Sequence, residues 1–367
     1  MTKARIEHLK ELMSRHKIDT IAINPGPTLT YLTGLEFHLM ERPTVMLYQR
    51  GHKPFMILPK LESTKLIGSN LPMHSVTYND DPSTWQEAFR AAFKHMNLEG
   101  VRIGLESTRI RFMEMNYLQT AAPTARFVSA DQIFSELRVV KDENEINDMR
   151  RAVDIAQQSL REILPMIKAG VSESRIAGEL TVAMLRAGSD PELPFSPIVA
   201  SGPNSANPHA APTGRVLEPG DLLVIDWGAR VNGYCSDLTR TFAIGKLEPE
   251  LERIYETVLK ANMAGRAAGN PGLAASEVDR ASREVIDQAG FGEFFTHRTG
   301  HGLGMEAHEA PYISSANTEL LEAGMTYTVE PGIYLPGKGG VRIEDNVLVT
   351  EEGTVTISDF SGELMIL

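Results

Sequence analysis

Apolar positions in the first 130 residues gather into short runs, "IDTIAIN", "TVMLYQ", "PFMILP", "VRIGLE" and "ARFVSA", separated by amphipathic stretches near 3–16, 60–68, 84–97 and 109–119. Short runs rich in β-branched residues predict strands, and their alternation with helices predicts an α/β layer domain. The pattern then changes. Ile146, Met149, Val153, Ala156, Leu160, Ile163 and Ile167 recur at alternating spacings of three and four, which predicts one long amphipathic helix. Asp142 and Glu145 form a capping-box pattern before it, and Gly170 is the expected stop. A second helix is expected over about 172–187, ending at Gly188.

From that point the order of elements repeats without sequence identity. Two helices followed by β-like segments near 195–200, 222–228 and 234–243 are succeeded by two helices, about 249–268 and 276–289, and by segments near 294–300, 325–330 and 341–349. The expected organisation is an α/β domain over 1–130, a linker over 131–145 and an α+β domain over 146–367 with an internal pseudo-two-fold repeat.

Within the first half of that repeat, "DWGARVNGYCSDLTRTF" centres Asn232-Gly233 in a hairpin pattern. If this pair is the turn, opposed residues have numbers summing to 465, so Asp226 faces Thr239. Asp237 then shares a face with Asp226, their Cβ atoms within about 7 Å. Burying a carboxylate costs several kcal/mol unless a partner compensates it, and the local sequence offers Arg230 and Arg240. The second half supplies a matching pair, Glu330 in "VEPGIY" and Glu344 in "VRIED". If the halves face each other, the four acids meet. Each like-charge pair at about 4 Å then costs roughly 4 kcal/mol at an effective dielectric near 20, so cations are required among them. Two divalent ions would balance four negative charges, and oxygen ligands with one or two imidazoles suit Mn, Co, Fe or Zn.

Imidazoles are concentrated in "HRTGHGLGMEAHE", which holds His297, His301 and His308. Its glycines argue against a helical ligand pair, and position 312 is Tyr312, so the helical zinc-protease motif is absent. Gly302, Gly304 and Ala307 are a weak dinucleotide fingerprint, because no strand-to-helix turn surrounds them.

The remaining bounds are broad. The chain has 367 residues, 42% hydrophobic and 23% charged, ordinary for a globular protein. A formal charge of −12 and the lack of a basic block exclude a nucleic-acid surface of the usual kind. No eighteen apolar residues run together and the N-terminal stretch has no signal-peptide core, so no membrane association and a cytoplasmic location are expected. Cys235 stands alone, which fits a reducing compartment and a packing role.

These motifs resemble those of the pita-bread metallopeptidases, specifically the Xaa-Pro dipeptidases (prolidases) and Xaa-Pro aminopeptidases. "PTLTYLTGL" at Pro27 to Leu35 is similar to their creatinase-type N-terminal domain. The resemblance implies a dinuclear site held by Asp226, Asp237, His301, Glu330 and Glu344, with Asp237 and Glu344 bridging two divalent metal ions, Mn or Co before Zn or Fe. Glu330 would also act as general base toward the bridging water. His308 would polarise the scissile carbonyl, and His209 in "SGPNSANPHAAPTGR" would contact substrate from a flexible loop. Arg342 would orient or neutralise a ligand carboxylate, and His297 would line the pocket. Ala307 departs from the Ile or Val usual before His308, and Asn207 is a second non-standard position, so the substrate pocket is where this chain is expected to differ. The activity implied is hydrolysis of Xaa-Pro bonds, in dipeptides first, with an aminopeptidase acting on longer peptides as the alternative. A metal-free creatinase-like enzyme or binding module is a further alternative, and a homodimer is the expected assembly.

Overall fold

The computed structural model describes residues 2–96 and 100–367. It divides into two compact units, Met1–Arg138 and Val139–Leu367. The first contains a six-stranded mixed sheet in the order His74–Tyr78, Phe55–Pro59, Val45–Gln49, Thr20–Ile23, Arg102–Leu105, Arg126–Ser129. All five expected strands are present, and helices Thr2–Arg15, Trp85–Lys94 and Phe112–Ala121 with the 3-10 helix Lys60–Gly68 follow the expected stretches. Residue 97, the expected end of the third stretch, lies outside the described residues. Two elements were not expected: the edge strand His74–Tyr78, largely exposed and polar, and the short helix Pro27–Thr33. Residues 131–138, placed in the linker by the sequence pattern, form a further helix.

The second unit opens with the long helix, Glu143–Ile163, whose Asp142–Glu145 capping box is formed. It ends earlier than Gly170. Pro165 has no N–H to continue the ladder, so a 3-10 turn, Leu164–Met166, replaces the last expected turn. Gly170 instead serves the following turn at φ 88°. Helix Glu173–Arg186 then precedes a sheet ordered Leu238–Ala243, Leu222–Trp227, Ile198–Ser201. The second half repeats this with helices Pro249–Ala268 and Ala275–Gln288. Its sheet contains Asp345–Thr350, Thr326–Val329 and Gly300–Gly302 in the same third-second-first order, extended by one strand on each side. The segment expected over 294–300 is mostly irregular and only Gly300–Gly302 pairs, because a 3-10 turn occupies Gly292–Phe294. The halves meet at an antiparallel bridge between Thr239 and Glu344.

Strands buried on both faces explain the apolar runs. Trp227, with Val153, Ala156, Leu160, Ile176, Leu180 and Phe242, forms a buried cluster between the first sheet and its helices, and its indole N–H donates to the Ala156 carbonyl at 2.8 Å. Cys235 is buried, and burial pushes its thiol up to about 12, so it packs rather than reacts. No helix among the described residues is long and apolar enough to cross a membrane.

The hairpin has the expected register: Asp226 pairs with Thr239, Arg230 with Cys235 and Val231 with Tyr234. Asn232 and Gly233 both have positive φ, 51° and 85°, as a two-residue type I′ connection demands. Gly233→Val would force a β-branched residue into left-handed backbone. It is expected to lower stability by about 1–2 kcal/mol, read as a lower urea unfolding midpoint, and an unchanged midpoint would contradict the turn assignment.

Candidate metal centre

The two halves deliver their carboxylates from matched positions. Asp226 lies near the end of the second strand of its sheet and Glu330 immediately follows the second strand of the other. Asp237 and Glu344 each stand one residue before the third strand. Ligand atoms of Asp226, Asp237 and Glu344 lie within 4.8 Å of one another, as do those of His301, Glu330 and Glu344. Asp226, Asp237 and Glu344 are buried, and Glu330 is partly so.

Neither arginine of the hairpin reaches the acids as a counter-charge. Arg240 turns to Asp345, 2.8 Å away. Asp226 pairs with Arg342, whose Nη2 donates to its Oδ2 at 2.7 Å. The Thr239 hydroxyl donates to Glu344 Oε2 at 2.6 Å. Asp226 Oδ1 and Glu344 Oε1 remain buried without a hydrogen-bond partner. Burial and repulsion from its neighbours hold the carboxyls of Asp237 and Glu344 well above the carboxylate range, and burial with the charge of Glu330 raises Asp226 despite Arg342. Burial pushes Glu330 up as well, but the hydrogen bond and charge of His301 outweigh it and hold Glu330 at about 2.

His301 is fixed by the Gly302 carbonyl, 3.1 Å from Nδ1, which can only accept, so Nδ1 carries a proton. Its Nε2 faces Glu330 Oε1, 3.2 Å away, and Asp237 Oδ2, 3.7 Å away. An imidazole nitrogen and carboxylate oxygens converge there, beside two buried carboxylate oxygens, of Asp226 and Glu344, that have no hydrogen-bond partner. That donor set, four carboxylates and one imidazole, fits hard to borderline divalent cations.

Around the acids the other expected residues take distinct places. His308, at the exposed rim, stacks on His301 with ring centroids 3.8 Å apart. Loss of solvent on that face and the charge of His301 lower it to about 4, so it is neutral at pH 7. The Arg298 guanidinium, a donor only, lies 3.4 Å from His308 Nδ1, which leaves His308 Nε2 as the N–H. His297 donates from Nδ1 to the Arg298 carbonyl at 2.7 Å and accepts the Tyr334 hydroxyl at 2.9 Å. The Tyr334 oxygen in turn accepts from Arg342 Nη1 at 2.9 Å, so a chain runs from His297 through Tyr334 and Arg342 to Asp226. His209 is exposed, and its charge contributes to the lowered values of both His297 and His308. Asn207 accepts the His209 N–H at 3.1 Å, and Ala307 is partly exposed beside His308.

Sequence reasoning did not single out Tyr334, Arg298 or Asp279. Asp279, on the helix Ala275–Gln288, accepts the N–H and hydroxyl of Thr299 at 3.0 and 2.9 Å and pairs with Arg283, fixing the approach to His301. Tyr334 follows "VEPGI" and could have been found there, whereas Asp279 carries no local signal.

Residues 147–351 match metallopeptidase family M24, and residues 5–140 match the creatinase/prolidase N-terminal domain. The chain belongs to metallopeptidase family M24. It is 32% identical to an Xaa-Pro dipeptidase of Pyrococcus horikoshii, with 98% of each chain covered. The crystal structure of a prolidase from Thermococcus sibiricus superposes with a TM-score of 0.95 at 32% identity, covering 100% of this chain and 99% of that one. An X-Pro aminopeptidase from Thermotoga maritima gives a TM-score of 0.86 at 30% identity, covering 98% and 99%. The pita-bread fold and the creatinase-like N-terminal domain are therefore those the motifs led us to expect.

Because burial and mutual repulsion raise Asp226, Asp237 and Glu344, a cation entering this site competes with protons for the same oxygens. Adding Mn to chelator-stripped protein is expected to release protons, and apparent affinity is expected to rise with pH. Titration calorimetry in buffers of different ionisation enthalpy measures this. Binding without proton release, and with an affinity independent of pH, would contradict the upward shift of Asp237 and Glu344.

Proposed function

We propose that this protein is a divalent-metal-dependent Xaa-Pro dipeptidase, with Asp226, Asp237, His301, Glu330 and Glu344 as ligands of two ions, Mn or Co. The observation carrying this reading is the convergence of His301 Nε2 with Glu330 and Asp237 beside the unpartnered buried oxygens of Asp226 and Glu344. Asp237 and Glu344, the most deeply buried of the four, would be shared between the ions. Divalent ions there supply Lewis acidity and make a water nucleophile available near neutral pH.

The chain's own residues would carry the remaining steps. Glu330, with the most accessible side chain of the four, takes a proton from the attacking water as it adds to the carbonyl carbon of the Xaa-Pro bond. His308 presents its Nε2 proton to the oxygen on which charge develops. The C–N bond then breaks, and the proline nitrogen leaves as a secondary amine after accepting the proton held on Glu330. Arg342 orients Asp226 while bracing the loop of His209 through the Pro208 carbonyl, 3.2 Å away. His209 contacts the substrate and His297 shapes the pocket. An X-proline bond is a tertiary amide with a restricted φ, a substrate that needs a dedicated site.

A dipeptidase must satisfy a free carboxylate directly after proline, whereas an aminopeptidase leaves that direction open. The similarity to a dipeptidase and a prolidase over nearly the whole chain supports the dipeptide reading, and the similarity to an X-Pro aminopeptidase supplies the alternative. A homodimer in the cytoplasm completes the proposal. It rests on the family resemblance and on the free, buried Cys235.

Activity of the Mn-loaded protein on Ala-Pro, Ala-Pro-Ala and Ala-Ala tests the reading. Ala-Pro is expected to be cleaved with the highest kcat/KM and Ala-Ala to resist. A kcat/KM for Ala-Pro-Ala equal to or above that for Ala-Pro would transfer the assignment to the aminopeptidase. For the role of His308, His308→Ala is expected to lower kcat by roughly 10²–10³ with metal content unchanged. An effect confined to KM would refute it.

A further inference from the structure

Apart from the acidic cluster, the helix Glu173–Arg186 begins with a carboxylate that is fully buried. Glu173 Oε1 accepts the Ser201 N–H and hydroxyl, both at 2.7 Å, and Oε2 accepts the Thr213 N–H and hydroxyl at 3.0 and 2.6 Å. The Asn204 amide donates to both oxygens at 3.1 and 3.2 Å. Burial by itself raises this carboxyl, but the donors from Thr213 and Ser201 bring it below the usual range, so it is ionised. A buried charge has to be satisfied this completely to be tolerated, and the groups that donate to it are thereby held in place.

Its donors are not scattered. Ser201 and Thr213 bracket the segment that carries His209, and Asn204 lies just inside it. The backbone repeats the grip: Glu173 N–H donates to the Arg215 carbonyl at 3.0 Å and Ser174 N–H to the Thr213 carbonyl at 2.9 Å, which uses donors that a helix N-terminus leaves open. Arg215, paired with Asp221 at 2.6 Å, donates to the Ser201 hydroxyl at 2.6 Å from the other side. The chain leaves Ser201 through Gly202 at φ 49°, where a Cβ would lie 2.4 Å from Asp221 Oδ1. Toward the tip the ties are single contacts, Gly340 N–H to the Ser205 hydroxyl at 2.8 Å and Arg342 to the Pro208 carbonyl at 3.2 Å, and His209 itself is exposed.

We propose that Glu173 is the positioning residue of the His209 loop, its carboxylate fastening both ends so that the imidazole is presented at a fixed place beside His297 and His308. Glu173 touches no reacting atom and acts only through His209. The inference rests on the proposed contact of His209 with substrate.

The test uses the full-length, Mn-loaded protein with Glu173→Gln, the milder Thr213→Val in case the first does not fold, and Thr213→Ser to retain the hydroxyl. Hydrogen exchange over 201–213 is expected to quicken at least about tenfold in Glu173→Gln and Thr213→Val, with Leu222–Trp227 unchanged and Thr213→Ser like the wild type. In kinetics on Ala-Pro, Glu173→Gln is expected to lower kcat/KM severalfold, yet to cause no further loss when added to His209→Ala. Unchanged exchange over 201–213 in both variants would overturn the clasp, and additive kinetic losses would overturn action through His209. If His209→Ala alone left kcat/KM intact, the role proposed for His209 would fail, while the exchange measurement would still decide the clasp.

Discussion

Mutual repulsion among carboxylates drawn into one buried cluster is the constraint around which the second unit is organised. Asp226, Asp237, Glu330 and Glu344 come within ligand distance in overlapping groups, and one guanidinium, that of Arg342, reaches them. At about 4 Å and an effective dielectric near 20 each like-charge pair costs roughly 4 kcal/mol, more than one buried arginine recovers for the whole set. The fold tolerates the cluster by leaving its acids protonatable and its oxygens open, the state that a divalent cation would replace.

Duplication is how the fold assembles such a set. Each half contributes one acid near the end of a second strand and one just before a third strand, so the pairs inherit equivalent geometry. Each half also uses a buried carboxylate on its second helix to hold the segment bearing its histidine. Glu173 holds the ends of the His209 loop, and Asp279 holds Thr299 two residues before His301. Acids therefore serve two purposes here. The clustered four, two of which keep an unpartnered buried oxygen, would form the centre, and those with every oxygen satisfied by donors hold neighbouring segments in place.

Much of this was legible in the chain. The Asn232-Gly233 turn fixes pairing by arithmetic, and Asp226 opposite Thr239 follows directly. The histidines were visible because three fall within one glycine-rich stretch that no helix can absorb. What local pattern hid is of two kinds. Short elements with exposed polar faces, such as His74–Tyr78, carry no period, and the long helix stops at Pro165 although Ile167 keeps its spacing. Residues such as Glu173, Asp279 and Arg298 have their roles set by partners distant in sequence or across a turn, so no single window contains the signal. Arg230 and Arg240, the cations nearest the hairpin acids in sequence, do not balance them for the same reason: proximity along the strand is not proximity at the site, and Arg240 is spent on Asp345.

Anomalous diffraction from crystals grown with Mn tests, without reference to any substrate, whether the acids and His301 together hold divalent ions. Two peaks are expected among Asp226, Asp237, His301, Glu330 and Glu344, and their loss is expected in Asp237→Asn. Crystals grown in saturating Mn with no anomalous density among these side chains would contradict metal binding by this set.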